Sequence, residues 1–181
     1  MSGRFGLPLL CDGVILLRAL EPSDVDITLK WENDSRLWHL GDTKAPFSRR
    51  QIEEYVATYD GDIFSAGQLR LIVESVDSGS ALGAVDLYNF DAINRRSAVG
   101  ILIDEQYRRN GIALRALTLL CDYVYRRLGL RQLWALCASY NTESIGLFTK
   151  SGFRQSCRLE SWIRDGDQWY DAFVMQRIFV E

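Results

Sequence analysis

The chain has 181 residues, of which 48% are hydrophobic and 25% are charged, as is ordinary for a globular protein long enough to bury a sizeable core. The formal net charge of −3 disfavours a nucleic-acid-binding protein, because such proteins usually carry a basic domain. We expect a single domain over residues 1–181.

The sequence shows no segment typical of export or of membrane insertion. The first residues, MSGRFGLPLLCDG, lack the long apolar segment of a secretory signal, and no apolar run is long enough to cross a bilayer. We therefore expect a cytoplasmic protein without a membrane partner.

Few residues are available for metal binding or for a nucleophilic triad. The four cysteines are far apart and form no Cys-x-x-Cys pair. His39 is the only histidine, and no partner motif lies near it. We therefore expect neither a metal ion nor a His-dependent nucleophile.

The first part of the chain predicts a strand followed by two helices. Residues 14–19 form an apolar strand, and Ser23 is the expected N-cap of a helix that runs to about Trp31. After a loop over residues 35–47, a second helix begins at Ser48 with a capping box.

Three strands follow as an antiparallel meander. Residues 68–75 alternate between apolar and polar side chains, and clusters of turn-forming residues separate them from strands at 81–90 and 97–103.

The stretch VGILIDEQYRRNGIALRAL, residues 99–117, carries the clearest functional signal. It begins as a buried strand, passes through a basic turn and becomes a helix. The unpaired N–H groups of a first helical turn, together with the helix dipole, attract anions. Gly111 and Ala113 are small enough for a phosphate to approach the backbone. We therefore predict that this turn holds a pyrophosphate.

The same helix defines a parallel strand pair. Its apolar side chains recur at three- and four-residue spacing up to Gly129, which is expected to end it. The next strand, residues 132–138, then lies beside the strand that precedes the helix, through a right-handed crossover.

The C-terminal part predicts a short helix and a hairpin. Asn141 caps a helix that reaches about Lys150, and strands at 154–163 and 169–179 flank a turn at 164–166. The predicted fold class is therefore α/β, a mixed α+β sheet with an antiparallel meander, one β-α-β unit and a closing hairpin.

Three stretches together resemble one family of enzymes. RRNGIA at 108–113 resembles the Gln/Arg-x-x-Gly-x-Gly/Ala motif of the GNAT superfamily of N-acetyltransferases, and NTESIGLFTKSGF at 141–153 resembles its second signature. LRALEPSD at 17–24, followed by WEND at 31–34, resembles the branch of spermidine/diamine and ribosomal-protein N-terminal acetyltransferases. One glycine motif is weak evidence, but three signatures in the right order are specific.

The resemblance implies transfer of an acetyl group from acetyl-CoA to an amine, by direct attack in a ternary complex and without a metal. It also implies splayed central parallel strands, 99–103 and 132–138, with the pantetheine arm between them. Free backbone groups there would bond the pantetheine amides and polarise the thioester carbonyl. By position, the expected cofactor-binding residues are Gly100, Ile101, Leu102, Ile103, Arg108, Arg109, Asn110, Gly111, Ile112, Ala113, Asn141, Phe148 and Lys150.

One position departs from the family pattern. Many members protonate the leaving thiolate with a tyrosine in a Leu-Tyr-x-Lys run, and here that position is Phe148, which cannot donate a proton. Ser144 and Tyr140 are the candidate donors, against structural roles in capping and packing. The thiolate could also leave unassisted, or the protein could bind acetyl-CoA without fast turnover.

Asp86 is the candidate base for the acceptor amine. It interrupts AVDLY, an otherwise apolar and aromatic strand, and the spermidine branch has a carboxylate at the matching position. A partly buried Asp can have a raised pKa and accept a proton through water. The alternative is an Asp on a solvent-facing strand.

The acceptor site is expected near the first two helices, where this family places it. Glu32, Asp34 and Asp86 would pair with an ammonium group, because a buried ammonium needs a partner. Trp31 would wall the cleft or hold a cation over its ring, with core packing as the alternative.

We therefore expect an acetyl-CoA-dependent N-acetyltransferase. The acidity of the chain favours a small amine or diamine acceptor over the alternative, the amine of a protein N-terminus. A non-catalytic acyl-CoA-binding sensor is the alternative from another class. A NAD-binding module is disfavoured, since the motif is not Gly-x-Gly-x-x-Gly. Self-association into a homo-oligomer is common in the family, but no residue defines its stoichiometry.

Overall fold

A computed structural model gives the fold of residues 9–38 and 43–180, so that His39 lies outside the described residues. In chain order the strands and helices are β1 (Ile15–Ala19), α1 (Val25–Glu32), α2 (Arg49–Thr58), α3 (Ile63–Ala66), β2 (Leu69–Ser75), β3 (Ala81–Asp91), β4 (Arg96–Ile103), α4 (Ile112–Arg126), β5 (Gln132–Ala138), α5 (Thr142–Lys150), β6 (Arg154–Asp165) and β7 (Gln168–Ile178). None of the helices described is both long and apolar enough to span a bilayer.

The seven strands form one sheet in the order β1-β2-β3-β4-β5-β7-β6. Strands β1 to β4 make an antiparallel meander, and β7 pairs antiparallel with both β5 and β6. Strands β4 and β5 are parallel, because α4 connects them. The predicted fold class is confirmed.

The central parallel pair separates after a short contact. Strands β4 and β5 pair only at Arg96–Gln132, Ser97–Leu133 and Ala98–Trp134. Beyond Ala98, β4 continues through Ile103 with its other edge paired to β3, and β5 continues through Ala138 with its other edge paired to β7. Each strand therefore presents one unpaired backbone edge to the gap between them.

Each face of the sheet buries a core. Leu117 of α4 is fully buried and belongs to the larger core with Val85 of β3. On the other face, Trp31 of α1 and Ile52 of α2 pack in a second core with Ile72 of β2. Helices α1 and α2 therefore form a layer over that face.

The predicted start of the first helix is wrong. Ser23 is not the N-cap, because a turn of 3-10 helix, Pro22–Asp24, precedes α1 and has Glu21 as its N-cap. The Asp24 carboxylate accepts a hydrogen bond of 2.8 Å from the Glu21 N–H. Proline fits the first helical position without losing a hydrogen bond, so the helical entry begins before Ser23.

Two other boundaries differ by a few residues. Helix α4 ends at Arg126, and Gly129, with a φ of 65°, lies in the turn beyond it, where the Leu130 N–H returns to the Val124 carbonyl at 3.0 Å. Strand β6 extends to Asp165, so the hairpin turn lies at residues 166–167 rather than 164–166.

The short helix α3 was not predicted. The Asp62 carboxylate caps it by accepting a hydrogen bond of 2.9 Å from the Phe64 N–H, and Gly67 ends it with a φ of 68°. A helix of four residues is too short to show a hydrophobic period.

Candidate active site

One continuous cleft of about 1340 Å³ opens where β4 and β5 separate. Its wall includes Gly111 before α4, Gly100 on β4, Ser144 on α5, and Glu32 and Asp86 at the opposite end. The structure therefore brings predicted donor and acceptor residues, distant in sequence, into a single cavity.

The end of the cleft at the start of α4 has the backbone geometry of an anion site. Within the described chain, the N–H groups from Arg109 to Leu114 donate to no protein acceptor. Gly111 is the helix N-cap with a φ of 75°, and a Cβ built on it would meet no atom within 4 Å. The free N–H groups and the open space at Gly111 suit an anionic group.

The basic side chains of this turn take different positions. Arg108 lines the cleft, and its Nε donates a hydrogen bond of 2.9 Å to the Ile103 carbonyl. Arg109 has a φ of 64°, and its Nη2 lies 3.5 Å from Glu143 Oε1 across the cleft. Asn110 donates its amide to the Tyr107 carbonyl at 3.4 Å and is not part of the cleft wall.

Helix α5 forms the opposite wall. Asn141 caps it by accepting a hydrogen bond of 3.0 Å from the Ser144 N–H. Asn141, Ser144 and Lys150 all line the cleft. The Ser144 hydroxyl has no hydrogen-bond partner among the residues that the structure describes, so it is available to a ligand.

Phe148 does not face the cleft. Its side chain is buried in the core, with its ring centroid 5.0 Å from that of Phe153 in an edge-to-face contact. This position does not support the cofactor contact expected from the sequence. The spacing of the second signature places Phe148 on α5 correctly, but which face of a two-turn helix meets the core depends on packing.

Tyr140 packs edge-to-face on Tyr170, with 4.7 Å between the ring centroids. Partial burial, followed by the nearby charge of Asp165, raises the pKa of the Tyr140 hydroxyl. Tyr140 does not line the cleft, whereas Ser144 does. The geometry therefore favours Ser144 of the two candidate proton donors.

The middle of the cleft is the unpaired edge of β4. Residues 100–103 line it, and within residues 9–38 and 43–180 no strand pairs with β4 on that side beyond Ala98. Ile112 and Ala113, at the start of α4, continue the same wall. Backbone groups on a free strand edge need partners when water is excluded, so this edge can bind a ligand rich in amides.

The opposite end of the cleft contains an ion-pair cluster that the sequence did not reveal. Arg70 of β2 donates from Nε to Asp86 Oδ1 at 2.7 Å and from Nη2 to Asp86 Oδ2 at 3.1 Å. Its Nη1 donates to Glu32 Oε1 at 2.6 Å. Burial opposes the charge of Arg70, but Asp86 and Glu32 together raise the pKa of its guanidinium above the usual value.

The position of Arg70 follows from strand register. Arg70 lies directly opposite Asp86, and Asp86 lies directly opposite Gly100 on the next strand. These side chains share one face of the sheet, because directly paired residues point to the same side. A charged residue inside the apolar run QLRLIVES was the signal, but its partner depends on a register that the sequence leaves open.

Trp31 lies between the second core and the cleft. Its side chain is 6% exposed, and its Nε1 donates to Asp104 Oδ2 at 2.9 Å. Lys30 Nζ donates to the same oxygen at 2.6 Å. Burial alone would raise the pKa of Asp104, but these two hydrogen bonds outweigh it and lower that pKa.

Asp34 lies outside the cleft wall. Its carboxylate accepts from Arg36 Nε at 2.9 Å and from Nη2 at 2.7 Å, and these bonds lower its pKa. The same guanidinium donates to Glu105 at 2.8 Å. A carboxylate already held by an arginine outside the cleft does not favour the substrate-binding role predicted for Asp34.

Within residues 9–38 and 43–180, no group of three or more His, Cys, Asp or Glu side chains is arranged to hold a metal ion. Cys137 of β5 is buried, and burial raises the pKa of its thiol to about 11. That thiol therefore stays protonated near neutral pH and is a core side chain.

The comparison with protein families identifies the class. A family model described as the acetyltransferase (GNAT) domain matches residues 15–154. The chain belongs to the GNAT acetyltransferase family and is an acetyltransferase.

Two relatives carry the names of different kinds of N-acetyltransferase. The chain is similar to spermidine N(1)-acetyltransferase of Escherichia coli (strain K12), with 32% identity over 127 residues that cover 66% of this chain and 67% of the relative. A Bacillus subtilis (strain 168) protein that carries the provisional name of a ribosomal N-acetyltransferase is 27% identical over 168 residues, 84% of this chain and 82% of that protein.

Solved structures share the fold. Spermidine N-acetyltransferase from Vibrio cholerae in complex with CoA and spermine matches with a TM-score of 0.82 at 21% identity, over 92% of this chain and 96% of that chain. A dodecameric structure of spermidine N-acetyltransferase from the same species matches with a TM-score of 0.76 at 23% identity, over 92% and 95% of the two chains.

Proposed function

We propose that this chain transfers the acetyl group of acetyl-CoA to a primary amine by direct attack in a ternary complex, with a small cationic amine or diamine as acceptor. One observation carries the proposal. A single cleft joins an anion site at Gly111, an unpaired strand edge at Gly100, and the carboxylates of Glu32 and Asp86. This order of features matches a phosphate-bearing thioester donor and an ammonium-bearing acceptor.

The donor end fits acetyl-CoA. The free N–H groups from Arg109 to Leu114 suit the pyrophosphate, and Arg108 and Lys150 supply positive charge beside it. The unpaired edge at residues 100–103 suits the amides of the pantetheine arm. The Vibrio cholerae neighbour solved with CoA supports this assignment.

When bound, acetyl-CoA supplies the acetyl group: the amine nitrogen forms the new C–N bond, the C–S bond breaks, and CoA leaves as a thiol. A backbone N–H at Gly100 or Ile101 would polarise the carbonyl. The Ser144 hydroxyl faces the cleft and has no partner among the described residues. It would give its proton to the leaving sulfur and regain one from the nitrogen, which loses its second proton as the C–N bond forms.

The acceptor must lose a proton before it attacks. Asp86 is the proposed base, and it acts through water because Arg70 holds both of its oxygens. Over the whole reaction one proton is released for each ammonium acetylated.

Charge and aromatic surface support a cationic acceptor. Glu32 and Asp86 contribute two negative charges to the cleft, and Arg70 contributes one positive charge. Trp31, Trp38 and Tyr55 line the same end, where their rings can face an alkyl chain or a cation. The spermidine acetyltransferases among the relatives agree with this choice.

The test is CoA release from acetyl-CoA with a panel of acceptors: spermidine, 1,4-diaminobutane, butylamine and a short peptide with a free N-terminus. We expect turnover with the di- and polyamines to exceed that with the peptide. Turnover with the peptide alone would overturn the small-amine acceptor in favour of a protein N-terminus. The absence of amine-dependent CoA release throughout the panel would overturn the proposed reaction.

We also propose that the chain self-associates. The Vibrio cholerae neighbour is dodecameric, and here β6 is an exposed edge strand on which Trp162 is 57% exposed. Long exposed edges are usually covered in natural proteins. Sedimentation velocity tests this, and a single monomeric species at every protein concentration would contradict it.

A further inference from the structure

Arg70 places a positive charge where a cationic acceptor is expected to bind. Its side chain is 19% exposed and faces Asp86 from β3 and Glu32 from α1. Tyr55 of α2 and Tyr59, the residue that follows α2, approach the same residue. Glu105, which also lines the cleft, is paired with Arg36. A cation in this position repels a cationic acceptor and so weakens its binding, and its presence therefore requires an explanation.

Arg70 is held on several sides. The Tyr59 hydroxyl accepts a hydrogen bond from the Arg70 N–H and donates one to the Arg70 carbonyl. The guanidinium carbon lies 6.0 Å from the centroid of the Tyr55 ring. Three hydrogen bonds fix the guanidinium on Asp86 and Glu32. The positive charge is therefore a permanent part of the cleft wall.

The charges of the cluster match one form of the substrate. Two carboxylates and one guanidinium give a net charge of −1. A diamine ready to attack has one neutral amine and one ammonium, so its charge is +1. Without Arg70 the cluster would have a charge of −2, and it would favour the diamine with both nitrogens protonated, which cannot attack.

Building on the proposed function, we propose that Arg70 is a positioning residue that sets the acceptor site to a single negative charge, so that the attacking amine loses its proton while the other ammonium stays bound. The proton leaves for water or a carboxylate, and the electron pair that stays on nitrogen forms the C–N bond. Glu32 receives the remaining ammonium, because its Oε2 has no hydrogen-bond partner in the described residues.

The test is the pH dependence of kcat and KM for 1,4-diaminobutane at saturating acetyl-CoA, since the pH dependence of kcat reports groups in the bound complex. In a plot of kcat against pH, we expect Arg70→Gln to shift the rising limb by about one unit to higher pH. The same variant should lower the KM for the diamine at neutral pH. Arg70→Lys keeps the charge and should leave the limb in place.

Two further variants separate charge from structure. In Arg70→Gln/Glu32→Gln the net charge returns to −1, and the limb should return towards its original position. Glu32→Gln alone makes the cluster neutral, and the rising limb should move to lower pH. Thermal unfolding of each variant reports folding independently, and Glu32→Gln still tests the proposal if Arg70→Gln does not fold.

This role of Arg70 would be overturned if the rising limb did not move in Arg70→Gln, or if it moved equally in Arg70→Lys. It would also be overturned if the limb did not return in the double variant. These outcomes presuppose a parent enzyme that acetylates the diamine. A parent enzyme that acetylates no amine would instead overturn the proposed function. The KM for acetyl-CoA should change less than about twofold in all four variants, because Arg70 and Glu32 lie at the acceptor end.

Discussion

Trp31 Nε1 donates a hydrogen bond of 2.9 Å to Asp104 Oδ2 and so joins helix α1 to the residue that follows β4. The next residue of α1 is Glu32, and Asp104 precedes the turn that leads to the anion site. One buried carboxylate therefore connects the acceptor and donor ends of the cleft. Lys30 Nζ, at 2.6 Å, neutralises its charge.

Asp104→Asn should destabilise the fold by about 1–3 kcal/mol, because the buried side chain loses its charge-assisted hydrogen bonds from Lys30 and Trp31. Urea unfolding at neutral pH measures this loss. Glu105→Gln is the matched control, since Glu105 is exposed and its pair with Arg36 is at the surface. If Glu105→Gln lost as much unfolding free energy as Asp104→Asn, the role given to the buried carboxylate would be contradicted.

The hydrogen bonds to the Asp104 carboxylate also predict how the stability of the fold depends on pH. The pKa of Asp104 is lower in the folded chain than its ordinary value of about 3.9, so the unfolded chain binds the proton more readily. The contribution of Asp104 is complete above that ordinary value and is lost as the pH falls through the folded value. The difference in unfolding free energy between the parent and Asp104→Asn should therefore narrow below about pH 4. A difference that stays constant in acid would contradict this.

Gly111→Trp should raise the KM for acetyl-CoA at least about tenfold, because the indole would fill the open space beside the free N–H groups. Gly79→Trp is the matched control: Gly79 also has a positive φ, with 66° against 75°, and open space around its Cβ, but it lies in a hairpin turn away from the cleft. Both variants carry a similar backbone strain, so the KM separates ligand binding from folding. An unchanged KM in Gly111→Trp would contradict the pyrophosphate assignment.

The anion site could be predicted because its signals are local. The apolar run that ends at Ile103, the turn with Gly111 and the helical spacing after it lie in one continuous stretch. The helix that follows exposes its N–H groups whatever the rest of the chain does. The same holds for the meander, whose turns are marked by their own residues.

Arg70 and Phe148 show what the sequence could not provide. The partner of Arg70 is set by the register of β2 against β3, and a shift of one residue would place Arg70 on the other face. Phe148 occupies a signature position, but contact with Phe153 directs its ring into the core. Both outcomes depend on packing between elements that are separate in the chain.

Ser144→Ala should lower kcat about 10–100-fold with little change in either KM, because the hydroxyl is proposed to act only when the C–S bond breaks. Thr149→Ala on the same helix is the control, since its hydroxyl donates to the Ile145 carbonyl and lies outside the cleft. Steady-state kinetics with a diamine measures both variants. Full activity in Ser144→Ala would indicate that the thiolate leaves unassisted.

Phe148→Tyr should not restore the activity lost in Ser144→Ala. The ring is 4% exposed and packs on Phe153, so a new hydroxyl there would lack a partner and would cost about 1–3 kcal/mol of stability. Thermal unfolding and kcat of the double variant test this together. Faster turnover without loss of stability would mean that the side chain at 148 reaches the cleft.

Asp86→Asn should lower kcat about 100-fold near neutral pH, where the bound amine still has to lose its proton, because an amide cannot take up that proton. The amide can still accept a hydrogen bond from Arg70, so the cluster keeps part of its structure. Asp91→Asn is the control on the same strand, since Asp91 pairs with Arg96 away from the cleft. This loss of kcat separates Asp86→Asn from Glu32→Gln, which also makes the cluster neutral but keeps the base, and which should only move the rising limb to lower pH. If Asp86→Asn retains full kcat/KM at every pH, Asp86 is not the base, and Glu32 becomes the carboxylate to test in that role.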